Sequence, residues 1–69
     1  MHYTDAIEVA QLGANIIIGK DSNIHYTHAM DIVKIIVAQG SHITIEKDYH
    51  YTNILEMVAI GGKQITIKI

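Results

Sequence analysis

The sequence predicts an α/β fold of three tandem helix-strand units, a parallel three-stranded sheet with all helices on one face, in the manner of a short solenoid. Three observations lead there. The tripeptide His-Tyr-Thr recurs at His2-Tyr3-Thr4, His25-Tyr26-Thr27 and His50-Tyr51-Thr52, at a spacing within the range of solenoid units. Each copy is followed by residues with helical periodicity, and each helical stretch runs through a glycine into a segment that alternates with period two. The units cover about residues 2–24, 25–49 and 50–69 of one domain.

In the first unit Asp5, Glu8 and Gln11 fall at three-residue steps with apolar residues between them, which predicts an amphipathic helix. Thr4, or the residue after it, suits the N-cap, and Asp5 with Glu8 has capping-box spacing. Gly13 stands where a left-handed cap would stop the helix. In the strand that follows, Ile16 and Ile18 share the face towards the helices, while Asn15 and Ile17 face outward. Lys20-Asp21-Ser22-Asn23 then reads as a turn.

The second unit repeats the scheme. His28, Asp31 and Lys34 form the polar stripe, Thr27 suits the cap and Gly40 the stop; Ile43 and Ile45 point inward, with His42, Thr44 and Glu46 outward. About four additional residues lie between Thr27 and Gly40, roughly one further helical turn. Ile35-Ile36-Val37-Ala38 extends the apolar surface around most of that helix. Two neighbours flanking a central helix account for this, and docking of the surplus turn on a second subunit is the alternative.

In the third unit Thr52 suits the cap, Asn53 and Glu56 have capping-box spacing, and Gly62 precedes the strand. Ile65 and Ile67 point inward and Gln64, Thr66 and Lys68 outward, with Lys68 beside Glu46 on the neighbouring strand. Strands joined by helices are expected to be parallel, with right-handed crossovers and spatial order 1-2-3. The outer face would then carry Ile17, His42, Thr44, Glu46, Gln64, Thr66 and Lys68. A polar outer face departs from doubly wound folds, which cover both sides, and makes this surface a candidate for binding a protein partner.

Composition narrows the function classes. A chain of 69 residues buries proportionally little of its surface, and with no cysteine it has no disulfide, thiolate metal site or thiol nucleophile. The lack of cysteine gives a mild lean towards the cytoplasm. A net charge of −2 with no arginine argues against a nucleic-acid binder, which would show a clustered basic footprint. No apolar run approaches the roughly 18 residues that span a bilayer, so no membrane partner is expected. Phe, Trp, Pro, Cys and Arg are all missing while isoleucine abounds, as in a repeated, simplified or designed sequence.

Both outer strands of such a sheet have unpaired edges, and neither carries proline. With the small core, this predicts a homo-oligomer. The histidines offer a second class of function. His2, His25 and His50 would line up near the carboxyl ends of the strands, with His28 one helical turn from His25, and a column of imidazoles suits zinc or nickel. The competing explanation is that the tripeptide recurs because the unit recurs. Ser22 and Ser41 sit in turn-like contexts, and no nucleophile–base–orienter set can be assembled, so an enzyme is not expected.

The segment Ile24-His25-Tyr26-Thr27-His28-Ala29, followed by an amphipathic helix, resembles the phosphohistidine loop of the HPr phosphocarriers, which implies phosphorylation at His25. It lacks the arginine and proline that follow the histidine in that family, and the threefold recurrence of the tripeptide accounts for it better. The helix–strand alternation is similar in architecture alone to leucine-rich repeats, whose strand asparagine is absent. The expectation is a small non-enzymatic domain acting through self-association or a protein partner, with a metal- or anion-binding module as the alternative.

Overall fold

Helix and strand alternate along the chain as the periodicity predicts. The computed structural model describes residues 1–69: α1 (Tyr3–Gln11), β1 (Ile16–Ile18), α2 (Tyr26–Gln39), β2 (Ile43–Ile45), α3 (Tyr51–Gly61), a 3₁₀ turn over Gly62–Gln64, and β3 (Ile65–Ile67). The three strands form one sheet in the order β1-β2-β3. Both pairings are parallel and in one register: Ile16, Ile43 and Ile65 lie side by side, as do Ile18, Ile45 and Ile67.

That register stacks the isoleucine rows, and the period-two pattern turns them towards the helices. Ile18, Ile43 and Ile45 are fully buried with Ile32, Val33, Ile36 and Met57 from the helices, while Ile16, Ile65 and Ile67 pack half-buried against them. Each fully buried aliphatic side chain contributes about 1.5–3 kcal/mol relative to an exposed one. No charged side chain is buried, so no unpaired charge offsets this gain.

The helix starts correct one expectation. The N-caps are His2, His25 and His50, not the threonines or the residues after them. Asp5 and Asn53 consequently lie at the third helical position, too far in to serve as the N-cap members of boxes with Glu8 and Glu56, and Asp5 alone is an acid in a first turn. Histidine takes the cap because its Nδ1 lies one bond beyond Cγ, as does the acceptor oxygen of Asn or Asp, and so reaches the same backbone N–H.

The glycines stop the helices as expected. Gly40 adopts a left-handed conformation at φ 72°, its N–H closing on Val37 O. The third unit differs: α3 runs into buried Gly61, and Gly62 at φ 55° opens the 3₁₀ turn that feeds β3.

The longer second unit contributes the central helix, α2, of 14 residues against 9 in α1 and 11 in α3. It packs against α1 on one side and α3 on the other. Ile32, Val33 and Ile36 are fully buried, while in the surplus turn Ile35 and Val37 are half-buried and Ala38 is exposed. Being flanked on both sides accounts for the helix's nearly all-round hydrophobicity.

Candidate functional site

Each repeated histidine is held by its own helix. Nδ1 of His2, His25 and His50 accepts the backbone N–H of Thr4, Thr27 and Thr52 at 3.2–3.3 Å. The hydroxyl of the same threonine lies 2.8–3.0 Å from that nitrogen. A backbone N–H can only donate, so Nδ1 is the acceptor, and a neutral capping ring carries its proton on Nε2. The threonine hydroxyl then donates to Nδ1 as well. The tripeptide therefore reads as a capping device: histidine accepts, threonine supplies both donors, and tyrosine is the first helical residue.

The four histidines proposed as metal ligands are not brought together. No three histidine or carboxylate side chains converge closely enough to hold an ion. Three of the four have Nδ1 committed to a cap, and the ring of the fourth, His28, lies against Tyr3 with centroids 3.6 Å apart and planes 4° from parallel. His25, the residue of the phosphocarrier resemblance, is engaged like the other two caps.

On the outer sheet face the polar side chains pair among themselves. His42 Nε2 lies 2.7 Å from Thr66 Oγ1, and Lys68 Nζ reaches Glu46 Oε2 at 3.5 Å. The Lys68 side chain is largely exposed, so the second pair contributes at most a few tenths of a kcal/mol. Gln64 is directed away from the face: its Nε2 donates to Ile36 O and Ser41 O, closing the C-terminal end of α2. Thr44 is half-buried between strands, and Ile17 is the one large apolar side chain on this surface, mostly exposed.

The two ends of the stack hold the larger uncovered apolar surfaces. At the β3 end an open groove of about 600 Å³ is lined by Tyr49, Tyr51, Ile54, Ile67 and Ile69, with Lys20, Lys47 and Lys68 among its polar borders. At the β1 end a second groove, about 730 Å³, is lined by Met1, Ala6, Val9, Ile16, Ile18 and Ile24, with Asn15, Lys20, Asp21 and Glu46 among its polar borders. Both grooves run beside a strand edge that pairs with nothing.

Tyr49 is a residue that sequence reasoning passed over. It is buried, its hydroxyl donates to Ile24 O at 2.7 Å, and burial pushes that hydroxyl up to about 12. Its signal was present in the chain, since Met1, Ile24 and Tyr49 are the apolar residues directly before the three capping histidines. From there to Ala6, Ala29 and Ile54 is the spacing of a hydrophobic staple.

No family model matches the chain, and neither a curated protein nor a solved structure matches it. The fold defines it as an α/β protein in which three helix–strand units share one parallel sheet. No helix is long and apolar enough to cross a membrane.

Proposed function

We propose that this chain is a non-enzymatic α/β repeat domain that works by associating with protein, copies of itself first, through the uncovered ends of its stack. The observation that carries the reading is the outward flank of the third unit, where Tyr51, Leu55, Val58 and Ile69 all stand exposed around the free edge of β3. Clustered apolar side chains beside an unpaired strand edge are an association surface. The reading as a binding rather than a catalytic protein draws support from the engagement of the polar groups. The histidines cap helices, His42 meets Thr66 and Glu46 meets Lys68.

Sedimentation velocity from micromolar to millimolar concentration tests it. The expected result is a mass that rises with concentration in the wild type and stays at one chain when Leu55 and Val58 are both changed to Lys. A wild-type chain that remains a monomer throughout would overturn the self-association reading.

A further inference from the structure

The same three helix positions recur in every unit, four and then three residues apart: Tyr3, Ile7 and Ala10; Tyr26, Met30 and Val33; Tyr51, Leu55 and Val58. This spacing puts them on one stripe of each helix. In α1 the first two are half-buried and Ala10 is sealed, and in α2 the exposures are 37%, 9% and 0%. In α3 the corresponding residues are 70%, 50% and 40% exposed. The unit that follows covers the stripe: α2 packs on α1 and α3 on α2, with His28 seated on Tyr3 and Val33 facing Gly61. On α3 the same surface is bare.

The opposite face shows the complementary pattern. On the flank away from the stripe, Ile32 in α2 and Met57 in α3 are fully buried, whereas their counterpart Val9 in α1 is only half-buried and Leu12, one turn on, is 88% exposed. The residue ahead of each cap behaves likewise. Ile24 and Tyr49 are buried, with Tyr49 reaching back to Ile24 O, while Met1 is 89% exposed.

The strand edges also agree. Ile16 N–H bonds His42 O and Ile18 O accepts from Glu46 N–H, so the backbone groups of Ile17 between them face the free edge of β1. Lys68 N–H bonds Ile45 O, which by the same alternation leaves the backbone groups of Ile65 and Ile67 free on β3. These are the groups that pair when a parallel ladder continues in the existing register.

Resting on the association reading above, we infer that the partner is a second copy of this chain, added head to tail so that its first unit takes the place of a fourth. β3 of one copy pairs in parallel with β1 of the next, Ile65 beside Ile16 and Ile67 beside Ile18. Val9 and Leu12 cover the Tyr51, Leu55 and Val58 stripe, and Met1 enters the groove between Tyr49 and Ile69. The contact is heterologous, because the two surfaces are different faces of one chain. Each added copy exposes a new bare stripe, so the assembly grows by the same step until a ring closes or a fibre forms.

Two end-blocked chains test this. One carries Leu55→Lys with Val58→Lys, and the other Val9→Lys with Leu12→Lys; circular dichroism checks that both keep the wild-type helix content. Each alone should sediment as a single chain, and an equimolar mixture should give a species of twice that mass, since each retains the face the other lost. Should Val9→Lys unfold the chain, Leu12→Lys alone serves as the front-blocked variant, at a position exposed enough to leave the core untouched. A symmetric back-to-back or front-to-front dimer gives the opposite pattern: one blocked chain still dimerises alone and mixing adds nothing. That outcome, in a wild type that does associate, overturns the head-to-tail arrangement and leaves the association reading standing. A monomeric wild type overturns both.

Discussion

The ring of Tyr3 lies flat on that of His28, centroids 3.6 Å apart and planes within 4°. This joins the first turn of α1 to the first turn of α2 and fixes how one unit sits on the next. In the third unit Asn53 occupies the position equivalent to His28. A stacked pair of this kind adds about 1 kcal/mol beyond the area it buries. Replacing His28 with Asn should therefore lower stability by about that amount and not unfold the chain, as read from the urea midpoint at unchanged slope.

The histidine caps make a prediction of a different form, because it depends on which residue replaces them. Changing His25 to Ala removes the acceptor for Thr27 N–H and should cost about 1 kcal/mol. His25→Asn, whose oxygen sits at the same reach, should restore most of the loss. If Ala and Asn prove equally damaging in chemical denaturation, the cap is not what His25 contributes.

Tyr49 links stability to alkaline pH. Burial raises its hydroxyl from the ordinary 10.0 to about 12 in the folded chain. A group whose folded value lies above its unfolded one gives stability that is fully present below the unfolded value and is lost as pH climbs through the folded value. The wild type should thus lose stability between pH 10 and about 12, while Tyr49→Phe, with nothing to ionise there, should lose less over that window. At neutral pH the same variant should be less stable by about 1 kcal/mol, since Ile24 O loses its donor. Midpoints of thermal unfolding at several pH values measure both.

Gly61 reverses the usual effect of alanine in a helix. A Cβ at this position would stand 2.7 Å from Ile65 Cγ2 and 3.5 Å from Val33 Cγ1, where α3 meets α2 and β3. Gly61→Ala should destabilise by about 1–3 kcal/mol through overpacking, although alanine gains about 1 kcal/mol over glycine in an open helix. A stabilised variant in thermal denaturation would contradict the packing described for this corner.

The architecture was legible because periodicity and punctuation agreed in all three units. Glycine marked each helix stop, isoleucine alternation named the buried row, and parallel strands in the order 1-2-3 placed the second helix at the centre. The caps were not legible by the ordinary rule, since histidine is absent from the usual capping set and threonine, which belongs to it, stood two residues away. The outer-face assignment of Gln64 followed strand alternation, but the 3₁₀ turn before β3 lets its side chain swing to the end of α2 instead. Tyr49 stands at a repeated apolar position whose meaning depends on the histidine after it being the cap, while Gly61 depends on Val33, 28 residues away in the chain, a contact no local pattern encodes. The end surfaces emerged only when equivalent positions could be compared by exposure.

The placement of α2 has a dynamic consequence. With α1 packed on one of its sides and α3 on the other, cooperativity passes from one end of the molecule to the other through this helix and its strand. Opening of a terminal unit leaves the remaining two assembled, whereas melting the middle one disconnects both. Amide protons along α2 and β2 should accordingly exchange only through global unfolding, and those near Tyr3 and Ile67 through partial opening at lower free energy. A neighbour seated on either end would slow that fraying, so occupancy of a terminus can be read as protection spreading inward from it.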